Sequence, residues 1–97
     1  MLAEEVAAAA AEAERWDRAA RDFREFADAD LVAARAEMDI LADRLEQLLK
    51  HVEAAAPDDR KLISQAAIAL RRARGGEVWA GYVLHMRKPP PDFSELL

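Results

Sequence analysis

The sequence predicts an all-α fold, a small helical bundle, and three observations carry that expectation. The apolar residues Leu31, Ala34, Met38, Leu41, Leu45, Leu48 and Val52 advance in alternating steps of 3 and 4, the repeat of a helix whose stripe must face another helix. Val6, Ala9, Ala13, Trp16, Ala20, Phe23 and Ala27 form an earlier series with the same steps. No Gly or Pro occurs before Pro57, so nothing in the first half breaks a helix. No strand period fits these stretches.

The chain has 97 residues, enough for one domain with a small core. We read residues 1–88 as a single helical domain and 89–97 as a proline spacer with a short apolar tail. The absence of Cys excludes disulfides and thiolate metal sites. No apolar run approaches the length of a membrane span. The start, Met1-Leu-Ala-Glu-Glu-Val, carries acids where a secretory signal needs bases. A cytoplasmic protein with no membrane contact is therefore expected.

The first element is an Ala-rich helix over residues 2–27, Ala being the best helix former. The early part of its stripe is nearly all Ala and buries little area, so the first turns should fray unless something covers them. Trp16 and Phe23, with Phe26 beside them, anchor the later part. This stripe and the next are out of phase, because Phe23, Ala27 and Leu31 are separated by two successive steps of 4. Two readings compete. The chain breaks at Asp28-Ala29-Asp30, with Asp28 or Asp30 capping a second helix, and residues 2–55 form a long antiparallel hairpin. Alternatively a stutter carries one helix through, giving a rod that must dimerise. We adopt the break, because very long helices are uncommon in small domains.

Ala56-Pro57-Asp58-Asp59 marks the next boundary, with Pro57 suited to a first turn and the two acids to the helix N-terminal dipole. A third helix is expected to run to about Ala73, with Gly75-Gly76 as its C-cap. Glu77–Met86 fits either period. With no second strand in sight, we read it as a fourth, short helix, stopped by Pro89-Pro90-Pro91. The prolines form a stiff, extended spacer. Behind it Phe93, Leu96 and Leu97 have the i, i+3, i+4 spacing of a short helix that enters an apolar groove. The competing reading folds this tail back onto its own bundle, or onto a second copy, to cover Trp79 or Tyr82.

Charge is unevenly spread. Residues 1–30 carry −5, 31–59 carry −4, 60–88 carry +6 and 89–97 carry −2. A basic C-terminal half lying along an acidic N-terminal half explains this without a ligand. Yet Arg71, Arg72, Arg74 and Arg87, with Trp79 and Tyr82 between them, could also meet an anion or a single-stranded nucleic acid. The overall net charge of −5 makes nucleic acid the weaker expectation.

Catalytic and metal chemistry find little support. His51 and His85 lack a Glu three residues before them, as a di-metal bundle requires. Ser64 and Ser94 lack a glycine elbow. Arg35, Asp39 and Arg44 are similar in type to the helix arginines of chorismate mutases, but their spacing departs from that family and involves one helix only. Trp79-Ala80-Gly81 resembles the tripeptide of the WXG100 helical hairpins. It lies near the end rather than in a central turn, and Met86 stands where that family has an acid, so nothing is carried over.

The expected function is a non-enzymatic protein–protein interaction or assembly module without a cofactor or metal. It would form a homo-oligomer, a dimer, or pair with another helical protein as an adaptor. The residues expected at the contact are Trp16, Phe23, Leu41, Leu45, Phe93, Leu96 and Leu97. The alternative is a regulatory domain binding an anionic ligand or nucleic acid through residues 71–88, with Arg71, Arg72, Arg74 and Arg87 as its contacts.

Overall fold

A computed structural model describes residues 1–88 of the chain. It contains helices α1 (Leu2–Ala20), α2 (Asp28–Ala55) and α3 (Arg60–Met86), with a short 3₁₀ turn over Phe23–Glu25, and no strands among the described residues. The chain runs up, down and up. The all-α bundle expected from the apolar steps is what forms.

The stripe of α2 is the axis of the core. Leu31, Ala34, Met38, Leu41, Leu45, Leu48 and Val52 are all buried, mostly against α3, with which α2 makes its largest interface. The chain does break between the two stripes, but at Arg21–Ala27, earlier than the expected Asp28–Asp30. Phe23 drives this. Its ring is fully buried in the 3₁₀ turn, edge-on to Phe26 at 5.1 Å, and extended backbone at Phe26 and Ala27 then reverses the chain. Neither aspartate caps α2. Ala27 holds the N-cap position without a side-chain bond, while Asp28 and Asp30 lie in the first turn, where their charge complements the dipole.

The hairpin has an unequal third member. α1 leans more on α3 than on α2. Its alanine face is covered, with Val6, Ala9 and Ala13 fully buried among Leu41, Leu45, Val52 and Ala66. Small side chains let the helices approach closely, which gives the Ala-rich turns the partner they require.

The two short C-terminal helices expected from Gly75-Gly76 are one helix. α3 continues through both glycines, and neither has a positive φ. Packing explains Gly76: a Cβ there would come within 2.5 Å of the Met38 Sδ, so its missing side chain makes room for a fully buried Met. Pro57 and Asp58 form the preceding turn rather than the first helical turn. Asp59 is the N-cap, its Oδ1 accepting the Leu62 N–H at 3.1 Å.

Candidate interaction surface

The arginines of α3 that suggested an anion site are largely engaged inside the molecule. Arg74 lies between helices and donates to Asp39 and Asp43 of α2 at 2.9 Å each, to Glu46 at 3.3 Å and to Glu77 at 3.1 Å. Asp43 first, then Glu77, Glu46 and Asp39 hold its guanidinium above the ordinary arginine value, against a smaller opposing effect of burial. Arg72 pairs with Glu14 of α1 at 3.4 Å. Arg87 bonds Asp28 at 2.7 Å and also donates to the carbonyls of Phe23 and Arg24. The basic half of the chain does lie along the acidic half. Arg71 is exposed and makes no ion pair among the described residues.

Trp79 and Arg87 have a structural task that spacing did not disclose. The end of α1 and the 3₁₀ turn leave carbonyls without helical partners. The Trp79 indole N–H donates to Ala20 O at 2.9 Å, and Arg87 serves the turn. The Trp79 side chain of α3 therefore caps the end of α1 from nearly sixty residues away in sequence.

The residues expected to meet a partner divide into three groups. Phe23, Leu41 and Leu45 are buried in the intramolecular core, at 0%, 3% and 0% exposure, because α3 satisfies the stripe that seemed to need a second chain. They cannot reach a partner unless the bundle opens. Trp16 is half-buried at the junction of the two core clusters. Phe93, Leu96 and Leu97 lie outside the described residues.

A different apolar surface is left open. Along the outer side of α3, Ile68, Val78, Tyr82 and Met86 are exposed by 44%, 72%, 51% and 62%. Gly75 lies in the middle of this row, and a Cβ there would touch nothing within 4 Å. A glycine inside a helix costs roughly 0.5–1 kcal/mol relative to Ala, and for Gly75, unlike Gly76, no contact among the described residues accounts for it. Val78, Tyr82 and Met86 share a face of the short helix expected over Glu77–Met86, but only the continuity of α3 through Gly75 and Gly76 joins them to Ile68.

Beside the row, between α3 and the end of α1, runs a basic and aromatic trough. Its larger part, about 510 Å³, is lined by Asp17, Arg21, Arg24, Arg72, Gly75 and Trp79 among others. A second part of about 290 Å³ lies towards the C-terminal end, between Arg24, Tyr82, Met86 and Arg87. The Arg24 guanidinium sits 5.3 Å over the Trp79 ring, which in turn stacks on Tyr82 at 5.7 Å. Arg21 and Arg24 make no ion pairs among the described residues. Sequence reasoning missed both, since nothing local places residue 24 beside residue 79.

No helix among the described residues is long and apolar enough to cross a membrane. Comparison with protein-family models, with curated proteins and with solved structures finds no match to this chain.

Proposed function

We propose that this chain is a non-enzymatic, cytoplasmic helical assembly module that self-associates, two copies pairing across the outer face of α3. The observation that carries the reading is the exposed row Ile68, Val78, Tyr82 and Met86 around an unoccupied Gly75, on a bundle whose core is otherwise complete. Gly at a helix surface gains a purpose where a second helix comes close. Ile68 and Tyr82 each lie seven residues from Gly75. In an antiparallel pair with its two-fold axis beside Gly75, Ile68 of one copy meets Tyr82 of the other.

Light scattering on a sizing column tests this. The chain should elute with the mass of two copies, and Val78→Glu should elute as one with its helical signal unchanged, since Val78 is 72% exposed. A single-copy mass for the unaltered chain at every concentration refutes self-association.

The trough favours a second reading, an anionic ligand held by Arg21, Arg24 and Arg72 beside Trp79. It keeps Arg72, which also pairs with Glu14, and replaces Arg71, Arg74 and Arg87 with Arg21 and Arg24, which make no ion pair among the described residues. Binding through phosphate contacts falls steeply between low and moderate salt, whereas apolar pairing changes little.

A further inference from the structure

Where α3 lies against α2 rather than α1, a recess of about 660 Å³ opens between the two helices. Val32 and Arg35 line it from α2, and Gly81, Leu84, His85 and Lys88 line it from the end of α3 and the residues just after. Their spacings, i, i+3 on one side and i, i+3, i+4, i+7 on the other, each keep to one helix face.

Gly81 accounts for how Arg35 is seated. A Cβ at Gly81 would come within 3.2 Å of the Arg35 Cζ and 3.4 Å of its Nε. The guanidinium therefore lies against α3 at a point where the helix has no side chain. Glycine weakens a helix, and this contact is what favours it here. Arg72, Arg74 and Arg87 are all held by carboxylates, but Arg35 makes no ion pair among the described residues. That is so although residues 31–59, to which it belongs, carry −4. Packing places this guanidinium, and no described carboxylate uses it.

Charge and polarity select the ligand class. Arg87 also reaches the recess, but Asp28 offsets it at 2.7 Å. Arg35 and Lys88 have no such partner among the described residues, and two cations match a dianion. Val32, which is 58% exposed, and Leu84 add an apolar floor. A phosphate monoester combines a charge near −2 at neutral pH with acceptor oxygens and an organic group. The planar fork of Arg and the point charge of Lys both suit phosphate. The volume is that of a small-molecule site. A nucleic acid would continue beyond the recess over a chain whose residues 1–30 and 31–59 carry −5 and −4, which repel phosphate.

We propose that this recess binds a small organic phosphate monoester, with the phosphate on Arg35 and Lys88, His85 as a further donor, and the organic group on Val32 and Leu84. Neither the row around Gly75 nor the trough beside α1 takes part. The inference therefore depends on neither reading of function given above.

Phenyl phosphate titrated into the full chain, followed by NMR, is the test. The Gly81 and Leu84 amides and the Arg35 Nε–H should shift saturably with one midpoint. Arg35→Gln should weaken binding roughly tenfold or more, the size of a lost charge-assisted hydrogen bond. The melting temperature should barely change, because Arg35 is exposed. Gly81→Leu keeps every charge but fills the surface on which the guanidinium lies, and should weaken binding by a similar factor. Arg21→Gln combined with Arg24→Gln, in the trough, should leave the midpoint where it was. Absent or non-saturating shifts overturn the proposal. Unaltered binding in Arg35→Gln or Gly81→Leu also overturns it, and shows general attraction to positive charge. Benzoate bound as tightly as phenyl phosphate overturns the dianion assignment. A single-stranded oligonucleotide that binds more tightly at the same amides overturns the small-molecule assignment and gives this face to nucleic acid. If Gly81→Leu disturbs the amide spectrum as a whole, Arg35→Lys, which keeps the charge and removes the fork, makes the same comparison.

Discussion

At one end of the bundle, Val6, Ala9, Ala10 and Ala13 pack on Leu41, Leu45, Leu48 and Val52, with Ala66, Ala69 and Ala73 closing the third side. At the other end, Phe23, Leu31 and Met38 meet Ala80 and Val83, with Trp16, Phe26 and Trp79 around them. The first end is small side chains against leucines, flanked on its surface by the bonds of Arg74 to Asp39, Asp43 and Glu46 and by the Arg72–Glu14 pair. The second end is aromatic, and it is tied by long-range bonds from Trp79 and Arg87 to backbone carbonyls and from Arg87 to Asp28. It also carries Val78, Tyr82 and Met86 on its surface. The contrast teaches that the alanine end supplies a generic helical scaffold, whereas the aromatic end is shaped around a chain reversal and carries exposed apolar side chains among the described residues.

The largest expected effect would break the aromatic end. Phe23→Ala should cost about 3–5 kcal/mol by denaturant unfolding, because its ring is fully buried beneath the turn. It should also alter Trp79 fluorescence, since the turn it supports holds the carbonyls near Trp79. Leu45→Ala attacks the alanine end and should cost about 2–5 kcal/mol, with Trp79 emission unchanged below the unfolding transition. A loss under about half a kcal/mol at Leu45 would contradict its complete burial.

Smaller effects sharpen the comparison. Asp59→Ala removes the α3 N-cap and should cost about 1 kcal/mol, read as a lower denaturant midpoint without a change in slope. The adjacent glycines should respond with opposite signs. Gly75→Ala should stabilise the single chain by about 0.5–1 kcal/mol, because its Cβ enters open space. Gly76→Ala should destabilise by about 1 kcal/mol, the displacement of buried Met38 outweighing the gain in helix propensity. Thermal unfolding of the two variants side by side decides this. Equal signs would mean that Met38 moves aside freely.

What the sequence determined by itself is the periodic part. Every apolar position of the Leu31–Val52 series is buried, and so are Val6, Ala9 and Ala13, because a 3–4 step is a property of one helix and is written locally. The boundary before Asp59 was legible for the same reason, as proline and capping residues act within a few positions. Only tertiary structure decided which surface met each stripe. Leu41 and Leu45 read equally well as an intermolecular seam until α3 was seen to lie on them, a choice set by contacts tens of residues apart. The same holds for Arg72, Arg74 and Arg87, whose carboxylates, apart from Glu77 three residues after Arg74, come from other helices. Gly75-Gly76 looked like a helix end because glycine weakens helices. The helix continues because burying Met38 against Gly76 offsets that local cost, and no local rule contains that term.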